Sequence, residues 1–98
     1  MADLVLDQIT EGKPVLIEKN GKSICVARVG DEVFAIDDTC THSDASLSEG
    51  DVTDFKIECW LHGAEFDLRT GEALTLPANI ALKTYAVSID GNAVTVEI

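Results

Sequence analysis

The central segment of the chain, residues 37–77, reads DDTCTHSDASLSEGDVTDFKIECWLHGAEFDLRTGEALTLP. Two short motifs in it carry metal-ligating residue types: Cys40-Thr41-His42 and, after residues 43–58, Cys59-Trp60-Leu61-His62. Together they contain both histidines and two of the three cysteines of the chain. Two short ligand motifs on separate loops can hold one metal centre from opposite sides, and thiolate and imidazole both bind iron and zinc. The segment therefore predicts a metal site formed by Cys40, His42, Cys59 and His62.

The flanking sequence predicts β-strands joined by tight turns. Residues 15–19 are rich in aliphatic side chains and precede Asn20-Gly21, a strong signal for a type I′ hairpin because both central residues must accept positive φ. Residues 23–29 are apolar on both alternating faces, which favours a central strand of a closed barrel or sandwich. Further strands are predicted at residues 4–6, 32–36, 56–58, 65–67, 84–89 and 93–98.

The predicted fold class is all-β, because the 3.6-residue periodicity of a helix is never sustained over ten residues. The 98 residues are expected to form one domain. Hairpins at both ends bracket a middle richer in Gly, Ser, Thr, Asp and Pro. We therefore expect an antiparallel β sandwich or barrel-like scaffold, residues 1–36 and 83–98, with a small inserted subdomain, residues 37–82, that binds the metal centre.

Composition and charge argue against several classes of function. Charge interrupts every apolar run within a few residues, so no membrane span is predicted, and the first residues lack the features of a secretory signal. Three cysteines are a poor basis for a disulfide framework, so a reducing cytoplasm is the expected compartment. The formal net charge is −11, from 18 acids and seven bases. Nucleic acid and anionic lipid are not expected partners, because both require a positive surface.

The acids are concentrated around the predicted metal site. Residues 37–72 contain ten acids and two bases, a net charge of −8, and the rest of the chain carries a net charge of −3. Ordinary solvated loops explain part of this excess. Acids around a redox site also favour long-range steering toward a basic partner.

The order of the ligands favours a 2Fe–2S cluster of the Rieske type. In such a cluster two cysteines hold one iron and two histidines hold the other, and here each motif supplies one ligand of each kind. A closed zinc site with two cysteines and two histidines stays open as an alternative, although zinc sites usually pair Cys with Cys and His with His at short spacing. With four ligands committed, no coordination position is left for substrate, which predicts electron transfer and not catalysis.

The residues CTHSDASLSEG at 40–50 and CWLHGAEFDLRTG at 59–71 resemble those of Rieske-type ferredoxins of bacterial aromatic-ring dioxygenase systems. The resemblance extends to Lys83-Thr84-Tyr85 and to Asp90-Gly91, so it covers nearly the whole chain. It implies three stacked antiparallel sheets, with the cluster at the tip of the inserted subdomain. It also implies ligation through the inner nitrogens of the two histidines, whose outer nitrogens then lie near solvent.

Several other residues carry specific expectations. By the same resemblance, the loop with Leu76 and Pro77 covers the cluster as an apolar flap. Trp60 departs from the family pattern, in which a proline or a small residue is commoner. We expect its ring to pack under the cluster loop, with exposure as a docking contact as the alternative. Cys25 is expected to be an inert buried thiol, and Lys19 and Lys22, beside the turn, are expected to be solvated.

Four positions predict a low reduction potential. Ala45 and Leu61 stand where respiratory-complex Rieske proteins carry an extra pair of cysteines joined as a disulfide. Ala64 and Phe66 stand where those high-potential relatives carry hydroxyl side chains, and Phe66 is expected to fill the subdomain core. Fewer hydrogen bonds to the cluster leave its reduced state less stabilised, so we expect a potential of about −150 mV.

The expected function is one-electron transfer. The resemblance implies a soluble carrier that takes an electron from an NAD(P)H-dependent flavin reductase and passes it to a terminal aromatic-ring dioxygenase. Both partners are expected to dock near His42 and His62, and the chain is expected to be a monomer and not itself an enzyme. Two alternatives stay open: a Rieske subunit held tightly in another oxidoreductase of the nitrite-reductase type and, from a different class, a zinc-stabilised interaction module.

Overall fold

The computed structural model describes residues 3–30, 32–39, 46–60, 63–75 and 81–97. Within them the chain forms nine strands and two single-turn 3-10 helices, at Leu6–Gln8 and Leu47–Glu49. The strands are β1 (Leu4–Val5), β2 (Val15–Lys19), β3 (Lys22–Val29), β4 (Glu32–Asp37), β5 (Val52–Thr53), β6 (Lys56–Glu58), β7 (Glu65–Asp67), β8 (Thr84–Asp90) and β9 (Ala93–Glu97). The predicted all-β class is confirmed. Neither helix in this part of the chain has the length and apolar character needed to cross a membrane.

The strands form two antiparallel sheets. The large sheet has the order β1-β9-β8-β4-β3-β2, and the small sheet has the order β5-β6-β7. The predicted hairpin joins β2 to β3, and its two turn residues, Asn20 and Gly21, have φ values of 52° and 76°. Both angles are positive, as a type I′ turn requires. The predicted strands agree with the described ones to within one residue at each end, and only the two-residue β5 was not predicted.

The large sheet curls until its two halves face each other. Ile24 and Val26 of β3 share one buried cluster with Val96 of β9, although β8 and β4 separate those strands in the sheet. Where the curl closes, the Lys19 ammonium group pairs with the Asp3 carboxylate at 3.0 Å and donates a hydrogen bond to the Val96 carbonyl. The expectation that Lys19 is solvated is therefore wrong, because its ammonium group joins the two edges of the curled sheet.

The small sheet packs against the opposite face of β3. Cys25 and Ala27 point to that face and share a second buried cluster with Ile57 and Phe66. Burial on both faces is what the sequence predicted for this strand. Cys25 is fully buried, as expected, and burial raises the pKa of its thiol. The two facing halves of the large sheet and the small sheet make up the three antiparallel layers that the family resemblance implies.

Candidate metal centre

The second ligand motif lies in the hairpin between β6 and β7. The Cys59 amide donates to the Ala64 carbonyl (2.7 Å), and the Gly63 amide donates to the Cys59 carbonyl (2.9 Å), so the two ends of the segment between Cys59 and Ala64, here called the Cys59 loop, lie side by side. Gly63 has a φ of 74°, which glycine adopts at little cost and which lets the loop close. The Cys59 side chain is fully buried. The other predicted ligands lie outside the described residues: Cys40, His42 and His62.

A buried carboxylate joins the residues that precede the first ligand motif to those that follow it. Thr39 and Ser46 form an isolated antiparallel bridge on the two sides of residues 40–45. The Asp38 carboxylate accepts hydrogen bonds from the Ser48 amide (2.9 Å) and from the Ser46 hydroxyl. Asp38 is 5% exposed and is the one buried charged side chain in the described part of the chain. Asp38 therefore joins the two sides of residues 40–45, which are called the first loop below.

The bases of the two loops meet in one part of the core. Leu47 follows the first motif, and its amide donates to the Asp38 carbonyl at 2.6 Å. Its side chain lies in the same buried cluster as Cys59, Ala64 and Phe66, so the prediction that Phe66 fills this core is confirmed. Two thiolates and two imidazoles, the side chains of the two predicted motifs, form a donor set suited to a 2Fe–2S cluster. The residues present therefore fit such a cluster.

The small sheet is strongly acidic at the end that carries the Cys59 loop. Glu58 of β6 lies directly opposite Glu65 of β7. The neighbouring pair, Ile57 and Phe66, is fully buried, so the two glutamates point to the outer face of the sheet, as alternation along a strand requires. Neither glutamate forms an ion pair with another of the described residues. Two carboxylates thus face solvent side by side beside the predicted site.

The other end of the small sheet carries the two bases of this region. Lys56 lies opposite Asp67, and the Asp67 carboxylate accepts hydrogen bonds from the Arg69 amide (2.8 Å) and guanidinium group (3.2 Å). The hydrogen bond from the Arg69 side chain holds the pKa of Asp67 below its ordinary value. The two bases that the sequence places among the acids of residues 37–72 therefore both lie away from the Cys59 loop.

Trp60 lies on the surface of the protein. Its side chain is 53% exposed, directly after the fully buried Cys59, so the expectation that it packs under the cluster loop is wrong. The chain turns after Cys59 to bring Gly63 and Ala64 back to it, and the residue at the start of such a turn points away from the core. Four other positions with specific expectations lie outside the described residues: Ala45, Leu61, Leu76 and Pro77.

A second contact below the first loop joins β4 to β8. The Tyr85 hydroxyl donates to the Asp37 carboxylate at 2.5 Å. Burial, together with this hydrogen bond, raises the pKa of Tyr85 to about 12. Sequence reasoning predicted neither this contact nor the role of Asp38. For Asp38 a signal exists, since an acid just before the loop and two serines just after it, Ser46 and Ser48, are the groups that a side-chain bridge needs.

Comparisons with known proteins show which family and which relatives this chain resembles. A family model described as Rieske [2Fe-2S] domain matches residues 2–86. The ferredoxin component of biphenyl 2,3-dioxygenase from Rhodococcus jostii (strain RHA1) is 42% identical over 90 residues, which cover 92% of this chain and 84% of that protein.

Solved structures of similar proteins match this chain over nearly its whole length. The ferredoxin of carbazole 1,9a-dioxygenase from Nocardioides aromaticivorans IC177 matches with a TM-score of 0.95 at 35% identity, covering 99% of this chain and 95% of that one. A complex of reduced oxygenase and oxidized ferredoxin in carbazole 1,9a-dioxygenase contains a chain that matches with a TM-score of 0.92 at 33% identity, covering 98% of this chain and 99% of that one.

Proposed function

The chain belongs to the Rieske [2Fe-2S] domain family and so binds one Rieske-type 2Fe–2S cluster, and we propose that Cys40, His42, Cys59 and His62 hold it. The cysteines bind one iron and the histidines bind the other, as in other centres of this type. The buried Cys59 and the shared base of the two loops support this assignment. Because the chain belongs to this family, the zinc-stabilised interaction module is no longer an alternative. In this proposal residues 37–82 are the cluster-binding subdomain on a scaffold of residues 1–36 and 83–98.

The chain is a one-electron carrier in a multicomponent aromatic-ring dioxygenase system. It accepts an electron from an NAD(P)H-dependent flavin reductase and passes it to the terminal oxygenase. The cluster supplies a site that takes up one electron at a time, which matches a reductase that must release the two electrons of a hydride singly. The observation that carries this proposal is that a relative named as a ferredoxin component matches 92% of this chain.

The surroundings of the cluster favour a low potential. Ala64 and Phe66 are fully buried and their side chains have no hydrogen-bond donor, so they cannot stabilise the added electron as hydroxyl groups do. The buried Asp38 carboxylate adds a negative charge at the base of the first loop. We expect a midpoint potential of about −150 mV, the low end of the Rieske range. A clearly positive midpoint in a redox titration would contradict this.

Two measurements test the proposal in sequence. Electron paramagnetic resonance of the dithionite-reduced protein is expected to give a rhombic signal with a low average g value, the signature of two histidine ligands on one iron. The reduced protein is then mixed anaerobically with the oxidised oxygenase of carbazole 1,9a-dioxygenase, the two proteins are separated by size, and the signal is expected to leave the ferredoxin fraction and to appear in the oxygenase fraction. A silent spectrum would overturn the ligand assignment. Purification only as part of another oxidoreductase would favour the nitrite-reductase-type alternative over a separate carrier.

A further inference from the structure

Trp60 is an exposed aromatic side chain at the end of the small sheet where the Cys59 loop lies. Its neighbour Cys59 is fully buried, whereas Trp60 is 53% exposed. Leu74, which is 39% exposed, lies at the same end, because its amide donates to the Glu65 carbonyl at 2.8 Å. Tryptophan is enriched among the residues that dominate binding energy at protein interfaces, where its ring fills a pocket of the partner.

The same surface carries two carboxylates that repel each other. Glu58 and Glu65 are directly opposite each other on adjacent strands, and like charges in this position destabilise a sheet. The two bases of the small-sheet region, Lys56 and Arg69, lie at its other end beside Asp67. A basic group of a partner placed between the two glutamates would relieve their repulsion. The patch is therefore complementary to an apolar recess bordered by arginine or lysine.

We propose that Trp60, Leu74, Glu58 and Glu65 form the docking patch for the terminal oxygenase. Trp60 enters an apolar recess of the oxygenase, and the two glutamates pair with basic side chains at its rim. The oxygenase is the chosen occupant because a ferredoxin that matches 98% of this chain has been solved in complex with its oxygenase. This inference rests on the proposed function, and it adds the residues and the partner chemistry that select the oxygenase.

Binding measurements on the cluster-containing protein test the patch. The oxygenase of carbazole 1,9a-dioxygenase is immobilised, and association and dissociation rates are measured at several salt concentrations. Trp60→Ala is expected to raise the Kd at least about tenfold, mainly through faster dissociation. The double variant Glu58→Gln/Glu65→Gln is expected to slow association several-fold and to flatten its dependence on salt.

Matched controls come from the scaffold. Leu16 is 47% exposed on β2, so Leu16→Ala removes exposed apolar surface from a strand outside the docking patch. Glu18→Gln removes an exposed acid from the same strand. Both control variants are expected to bind as the unchanged protein does. All variants are checked by electron paramagnetic resonance, and Trp60→Leu replaces Trp60→Ala if that variant fails to retain its cluster.

The outcomes separate this inference from the function on which it rests. If the unchanged protein neither binds nor reduces this oxygenase, the docking patch is overturned, and if it also fails to reduce the oxygenase of biphenyl 2,3-dioxygenase, the carrier function is overturned as well. If it binds and reduces the oxygenase and the Trp60 variants do so equally well, the carrier function stands and the docking patch is wrong. If the Trp60 variants lose only binding to a flavin-dependent ferredoxin reductase, or only self-association, the choice of the oxygenase as occupant is wrong.

Discussion

The large and small sheets are stabilised in different ways. β2, β3 and β4 have five to eight residues each and pair along their whole lengths, and their curled sheet encloses a core of its own. The strands of the small sheet have only two or three residues. Its buried side chains, such as Ile57 and Phe66, pack onto β3 of the large sheet and not onto a second layer of their own.

The two regions also differ in net charge. Residues 37–72 carry a net charge of −8, and the buried carboxylate of Asp38 lies where this region joins the scaffold. We therefore expect the large sheet to provide most of the stability, whereas the small sheet is less stable and presents the Cys59 loop and an acidic surface. This division predicts that equivalent substitutions have unequal effects in the two regions.

The two buried cysteines give the sharpest comparison. Cys25 and Cys59 lie in the same core cluster and are both fully buried, but only Cys59 is a proposed ligand. Cys59→Ala is expected to abolish the cluster, seen as loss of visible absorbance and of acid-labile sulfide. Cys25→Ala is expected to retain the cluster and to lower the free energy of unfolding by only about 1 kcal/mol, the effect of a small cavity. Loss of the cluster in both variants would contradict the assignment.

Two glycines with similar backbone angles test the stability difference. Gly71 has a φ of 79°, and a Cβ atom there would lie 2.2 Å from the Leu82 carbonyl oxygen. Gly21 has a φ of 76°, with nothing within 4 Å of its Cβ position. Gly21→Ala should cost about 1–2 kcal/mol for the left-handed conformation alone. Gly71→Ala also introduces a clash with the backbone, so it should lower the free energy of unfolding by about 2–4 kcal/mol in total. Urea unfolding measures both values, and equal losses would show that the loop simply moves aside.

Much of this division was predictable from the sequence. Strand positions and the Asn20-Gly21 hairpin follow from local alternation and turn chemistry, and both ligand motifs are short. The contacts that could not be predicted join residues that are distant in sequence. Lys19 reaches the Val96 carbonyl 77 residues away, and no local pattern distinguishes it from a solvated lysine. Trp60 was expected to pack under the cluster loop, whereas the direction of the turn after Cys59 decides its exposure. The ligand set stays a prediction, because Cys40, His42 and His62 lie outside the described residues.

Asp38 tests how charge at the junction of the two regions acts on the cluster. Asp38→Asn keeps the shape of the side chain and can still accept the Ser48 amide, so the first loop should stay in place. A carboxylate about 10 Å from the cluster opposes an added electron by roughly 0.4–1.7 kcal/mol. Its neutralisation should therefore raise the midpoint potential by about 20–70 mV. Asp90→Asn, at the far end of β8, should leave the potential unchanged. A fall in potential for the Asp38 variant would show that its hydrogen bonds matter more than its charge.

Tyr85 tests the scaffold side of the same junction, where the smallest effect is expected. It is the only tyrosine of the chain, so absorbance near 295 nm reports its ionisation alone. Burial, with the hydrogen bond to Asp37, raises its pKa to about 12 in the folded protein, whereas an unfolded tyrosine titrates near 10. The folded state thus holds the proton more tightly. Its stabilising effect is complete below about pH 10 and is lost as the pH rises toward about 12. Tyr85→Phe should lower the free energy of unfolding by about 1 kcal/mol at pH 8. Above pH 10 the difference in this free energy between the variant and the unchanged protein should become smaller. A native titration near pH 10 would mean that the hydroxyl is solvated and that its hydrogen bond to Asp37 does not stabilise the folded state.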